Sequence, residues 1–136
     1  MKAIRIHEDG GPEVLRYEDV DDPVPTEGQV LVELRAASMN HLDVWIRKGL
    51  PSVPKPRILG ADGAGLIAGT DERVVINPGI IENGRTHIIG ETRDGTHAEL
   101  IAVPRDYVHP IPGDLSFEEA AAFPLVFETA YRMLVT

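Results

Sequence analysis

Asp62 and Glu91, each beside glycines, and five scattered histidines are the side chains here of the types that acid-base or metal chemistry uses. The histidines stand at positions 7, 41, 87, 97 and 109, so no two share a helix face at spacing four and the His-Glu-x-x-His pattern is missing. Surface or hydrogen-bonded histidine is the default for each, and a metal site assembled from distant positions is the minor alternative. The sequence has no cysteine, which removes disulfides, thiol catalysis and cysteine-ligated zinc together. It also has no Gly-x-Ser-x-Gly, so a serine nucleophile has no local support. Gly60-x-x-Gly63-x-Gly65 invites a nucleotide reading, but a dinucleotide fingerprint is spaced Gly-x-Gly-x-x-Gly between a strand and a helix. These glycines precede a strand, and the expectation is that they let backbone or ligand approach closely. For Asp62 and Glu91, capping a backbone turn is the commoner role of such a carboxylate, with a functional role as the alternative.

The elements that must hold these residues are mostly short strands. Ile4 and Ile6 alternate with Arg5 and His7, and Leu15 and Tyr17 resume the alternation after Gly10-Gly11-Pro12, which predicts a hairpin. Val30, Val32, Leu34 and Ala36 place one face of a strand over Gln29 to Ala37. Asn40 is an N-cap, Asp43 completes a near capping box, and Gly49 follows the end of a short helix over His41 to Lys48. Prolines 51, 54 and 56 interrupt regular structure until Ile58. Strands over Leu66 to Ala68 and Arg73 to Ile76 flank a tight turn at Gly69, and Asn83-Gly84 predicts a two-residue hairpin. His97 to Val103 is a further strand, and Tyr107 to Ile111 a brief pairing segment. Ser116-Phe-Glu-Glu119 is a capping box that starts a helix at Phe117, and Pro124 begins a second. In that last helix Glu128, Arg132 and Thr136 make a narrow polar strip, while apolar side chains cover the rest, so burial on more than one side is expected.

The 136 residues are enough for one domain with a real core, and a 43% hydrophobic content fits a globular protein. The net charge of −9, with basic residues scattered, disfavours nucleic acid as a partner. No apolar run reaches the roughly 20 residues that span a bilayer, and the start at Met1-Lys2-Ala-Ile-Arg lacks a signal peptide's apolar core. The expectation is a cytoplasmic protein without a membrane partner. The pattern as a whole predicts a mainly β protein, a barrel or sandwich with accessory helices.

Ala36-Ala-Ser-Met-Asn-His-Leu-Asp-Val-Trp-Ile-Arg-Lys-Gly49, Ile58-Leu-Gly-Ala-Asp-Gly-Ala-Gly65, Asp94-Gly-Thr-His-Ala-Glu-Leu-Ile-Ala-Val-Pro104 and Leu115 to Tyr131 occur in an order and spacing of their own. Together they resemble the N-terminal half of the medium-chain dehydrogenases and reductases, which include alcohol dehydrogenases and quinone oxidoreductases. The resemblance implies a GroES-like, partly open β-barrel over residues 1 to 136, with two C-terminal helices. It also implies a neighbouring Rossmann domain, not encoded here, and NAD(P)H in the cleft between the two.

The same resemblance implies that zinc is not used. Where zinc-dependent members have ligands, this sequence has Asn40, Ala61 and Leu125, and their proton-relay serine and histidine correspond to Leu42 and Trp45. Zinc-free quinone oxidoreductases carry asparagine at the place of Asn40, and Thr129 matches a threonine that lies against the nicotinamide. Asn40, Trp45 and Asp62 are therefore the expected catalytic positions, with Trp45 an apolar wall, and Asn40 and Thr129 the cofactor-facing ones. Against these stand plainer roles, an N-cap for Asn40 and a helix hydroxyl bonded to its own backbone for Thr129. Two functions are in view. One is the substrate-side domain of an NAD(P)H-dependent oxidoreductase acting on quinones, enones or alcohols, inactive alone. The other is a GroES-like module that self-associates through its last helix in a binding or structural role.

Overall fold

The computed structural model describes residues 1–135. Its centre is a five-stranded antiparallel sheet in the order β10-β6-β5-β3-β9, made of β3 (Gln29–Ala37), β5 (Gly63–Ile67), β6 (Arg73–Ile76), β9 (Leu100–Pro104) and β10 (Val108–Pro110). A second sheet pairs β1 (Lys2–Ile6) with β2 (Arg16–Asp19) on one side and β4 (Arg57–Ile58) on the other. The predicted N-terminal hairpin is thus present, with a 3₁₀ turn over Pro12–Val14 at its bend. Strands β7 (Gly79–Glu82) and β8 (Arg85–Ile88) form the hairpin that Asn83-Gly84 foretold, and both turn residues have positive φ, 52° and 72°. The Tyr107 hydroxyl fastens this hairpin to the barrel by accepting from the Ile81 N–H at 2.9 Å.

Two faces of the central sheet are filled differently, and one bulge divides them. Leu34, Gly65 and Val74 lie opposite one another across three strands. Leu34 packs with Val32, Val74, Ile76, Ile80 and Val103 in the main core. Arg35 is then an extra residue in the pairing of β3 with β5, and the next partners are Ala36 and Ala64. Because side chains alternate with period two, one inserted residue moves its successors to the other face. Ala36 and Ala64 accordingly pack with Val75, Ala120 and Ala121, the contact through which helix α2 (Phe117–Ala121) sits on the sheet. The predicted face of Val30, Val32, Leu34 and Ala36 therefore holds for three residues and breaks at the fourth.

Helix α1 (His41–Arg47) buries Ile46 against Ile6, Val14, Val53 and Leu59 in a third cluster. Three sequence expectations need correction. The glycine segment does not precede its strand, since Gly63 and Gly65 lie within β5. The strand expected from His97 begins at Leu100, because residues 95–97 turn away to hydrogen-bond Ile58, Leu59 and Gly60. Residues 57 and 58 form the short β4 directly after the last of the three prolines, one residue earlier than expected, paired with the end of β1. Helix α3 (Pro124–Val135) closes the chain as expected, and the Thr136 end of its polar strip lies outside the described residues.

Candidate functional site

The sequence provides α1 with a short polar entrance, and the structure joins that entrance to the middle of the barrel. The Asp43 carboxylate accepts the Asn40 backbone N–H at 2.8 Å, the return arm of a capping box. Its other oxygen accepts the Gly60 N–H at 3.0 Å, so one buried carboxylate ties the helix start to the approach of β5. Gly60 has φ of +102°, and a Cβ there would lie 2.5 Å from Thr96 Oγ1 and 2.6 Å from the His97 ring. Only glycine fits that approach. At Gly65 a Cβ would fall 2.0 Å from the Glu33 carbonyl oxygen, so the glycine spacing serves close backbone packing.

Asp62 is the centre of the arrangement, with 0% of its surface exposed. Its Oδ2 accepts from Asn40 Nδ2 at 3.1 Å and from the Ser38 hydroxyl at 3.3 Å. Its Oδ1 accepts the Leu125 N–H at 3.0 Å, in the first turn of α3. Its main-chain carbonyl accepts the Thr96 hydroxyl at 2.8 Å and the Ser38 N–H at 3.3 Å. Burial pushes the Asp62 carboxyl above the ordinary aspartate range and the Asp43 charge adds to that, while the Asn40, Leu125 and Ser38 donors pull it back. A carboxylate at a helix N-terminus meets unsatisfied N–H groups and the positive end of the helix dipole, which favours its charged form.

Positions 40, 62 and 125, which come from three separate segments, thus converge on one carboxylate. Ala61 beside it is fully buried, and His97 closes the same region with Nε2 3.1 Å from the Ser38 carbonyl oxygen. Of the expected site residues, Asn40 and Asp62 are brought into contact, and the Asp62 carboxylate caps the first turn of the distant α3 where a cap of its own turn was expected. Trp45 lies one helical turn on, 54% exposed, and stacks on His41 with ring centroids 6.1 Å apart. Thr129 is exposed on α3, one turn beyond Leu125, beside a small cavity shared with Gly79, Thr86 and Ile88 of the β7–β8 hairpin. Ser38 and Thr96 went unnoticed in the sequence. Their partner Asp62 is 24 and 34 residues away, and no local pattern marks a hydroxyl for so distant a carboxylate.

Zinc does not fit this centre, because Ala61 and Leu125 have no donor atom in their side chains and the Asn40 amide already donates to Asp62. Among the described residues no three histidine, aspartate or glutamate groups gather as a metal ion requires. Trp45 and Thr129 present exposed surface on α1 and α3, the two helices that Asp62 joins. No helix of the described residues is long and apolar enough to cross a membrane.

The mainly β, partly open barrel with its accessory helices is consistent with an alcohol dehydrogenase GroES-like domain. The model of that family matches residues 26–113, and the chain belongs to it. The quinone oxidoreductase of Lama guanicoe is 40% identical over 139 aligned positions, which take in 99% of this chain and 41% of that protein. The crystal structure of an NAD-dependent alcohol dehydrogenase superposes with a TM-score of 0.91 at 43% identity, over 99% of this chain and 46% of its own. Escherichia coli quinone oxidoreductase complexed with NADPH superposes with a TM-score of 0.81 at 29% identity, over 100% of this chain and 41% of its own. The chain therefore spans less than half the length of these relatives.

Proposed function

We propose that residues 1–136 are the substrate-side domain of an NAD(P)H-dependent oxidoreductase of the quinone, enone or alcohol dehydrogenase kind. The Rossmann domain that binds the cofactor is not encoded within them, and alone they are inactive. The observation that carries this reading is the convergence of Asn40, Asp62 and the first turn of α3 in a barrel that superposes over its full length on an NADPH-bound quinone oxidoreductase. When bound, NAD(P)H supplies a hydride. The chain's own residues shape the other wall. Asn40, held by Asp62, presents the rest of its amide to substrate and cofactor, Thr129 offers a hydroxyl from α3, and Trp45 forms an apolar side. Asp62 acts from behind Asn40. The setting of the complete protein is the cytoplasm.

The test is a fusion of residues 1–136 to the second domain of the Escherichia coli relative. NADPH oxidation with a benzoquinone acceptor is followed by absorbance. Turnover that needs both halves and falls about tenfold or more in Asn40→Ala supports the reading, on the scale of one lost transition-state hydrogen bond. A fusion that binds NADPH, with its barrel folded, yet reduces no quinone, enone or aldehyde overturns it.

One observation favours a second reading, self-association. Phe127, Tyr131 and Leu134, which share one face of α3, are 64 to 85% exposed, and exposed apolar surface of this kind usually marks an interface. In the first reading the Rossmann domain covers this face, and in the second another copy does.

A further inference from the structure

We propose that Asp62 is a positioning residue that couples Asn40 to helix α3, so that the orientation of the Asn40 amide and the docking of the α3 first turn change together. The inference deepens the oxidoreductase reading, on which it rests only in counting Asn40 and α3 as parts of the reacting centre.

The two carboxylate oxygens of Asp62 have different partners. Oδ2 receives Asn40 Nδ2 and the Ser38 hydroxyl, whereas Oδ1 receives the Leu125 N–H. A carboxylate is a planar unit, so a rotation that improves contact at one oxygen carries the other with it. Full burial of Asp62 removes water as a substitute partner for its carboxylate, so an oxygen that loses its donor stays unsatisfied. The attachment matters more to α3 than to α1. Only Pro124 of α3 is buried, while α1 is also held by Ile46 in a core cluster and by the Asp43 cap. An ionised Asp62 accepts only, which fixes the Asn40 amide with its NH₂ toward the barrel. The other titratable groups nearby are Asp43 on α1 and, beyond Ser38, the His97 ring, while the first turn of α3 brings no acidic side chain.

The experiment uses the chain itself, labelled for NMR. Amide exchange is read at Leu125 and, as a barrel control, at Val32 and Val103, for the native sequence, Asn40→Ala, Ser38→Ala and Asp62→Asn. Coupling predicts that Asn40→Ala, with no contact to α3 of its own through that amide, accelerates Leu125 exchange severalfold, about the effect of loosening one hydrogen bond on a charged acceptor. Ser38→Ala acts in the same direction and less. The Leu125 amide shift also follows the Asp62 carboxyl titration, with a midpoint that moves upward in Asn40→Ala. Exchange at Val32 and Val103 stays unchanged. Leu125 exchange and titration indifferent to Asn40→Ala, together with acceleration in Asp62→Asn, would reduce Asp62 to an ordinary helix cap and overturn the proposal. If Asp62→Asn does not fold, the Asn40 and Ser38 variants still decide. A fusion enzyme without activity would sink the oxidoreductase reading and leave these exchange results standing.

Discussion

The central sheet and helix α3 are both rich in apolar side chains, yet they end in opposite surroundings. Val32, Val74, Ile76 and Val103 of the sheet lose all contact with solvent, whereas Met133 and Leu134 of α3 keep 79% and 85% of their surface exposed. The sheet covers itself, because each strand finds a ladder partner within the chain and the bulge at Arg35 gives the second face to α2. Helix α3 is tied to the barrel by the Leu125 N–H on Asp62 and then runs beside a groove of about 420 Å³ bordered by Val75, Pro78, Phe123 and Phe127. Apolar content thus measures how much surface a segment must cover, and says nothing about what covers it.

The contrast can be put under strain at both ends. Ile76→Ala removes a fully buried side chain from the main cluster and should cost about 2–5 kcal/mol, the range for such truncations, measured by urea unfolding. A loss below 1 kcal/mol would mean that the sheet does not carry the stability. Leu134→Glu should leave that unfolding transition where it is, since the side chain is already in solvent. If copies associate through α3, the same change weakens the dimer about tenfold, or about 1.4 kcal/mol. Sedimentation equilibrium over a concentration series measures this, and a strict monomer at every concentration would remove self-association from consideration.

Between the two regions lies α2, where Ser116 Oγ accepts the Glu119 N–H at 3.0 Å. Ser116→Ala should cost about 1 kcal/mol, and loss of protection confined to α2 by hydrogen exchange would locate it.

The smallest effect is a slope. The raised Asp62 carboxyl takes up its proton more readily folded than unfolded, so in the interval between the ordinary aspartate value and its own the folded chain holds the extra proton. That contribution to stability grows as pH falls through the interval, declines as pH rises through it, and is constant above it. Comparing urea midpoints of the native chain and Asp62→Asn from about pH 3 to pH 6 isolates the term. Parallel curves would show that the donors from Asn40, Ser38 and Leu125 cancel the effect of burial.

The legible parts of this fold were those written in neighbouring residues. Val30, Val32 and Leu34 announced β3 by their spacing, Asn83-Gly84 announced a turn that needs positive φ, and Asn40 with Asp43 announced the start of α1. From its own neighbours Asp62 was legible only as a carboxylate in a turn, and the family resemblance added a catalytic expectation without naming its partners. Its partners lie 22, 24 and 63 residues away, one of them a backbone N–H, and any residue except proline supplies one. The direction of residues 95–97 was hidden for a similar reason. The order of residues 97–103 suits a strand, while the partners that draw 95–97 aside, Ile58 to Gly60, follow a run of prolines.

Trp45 gives the molecule an optical property. It is the chain's one tryptophan, so its near-ultraviolet emission comes from a single indole, half in water, on the outer side of the helix that Asn40 begins. Whatever closes over that helix, a second domain or a flat aromatic acceptor, replaces water around the ring and moves the emission toward shorter wavelength or quenches it. The native chain therefore reports occupancy of the proposed site by its own colour, with no attached dye.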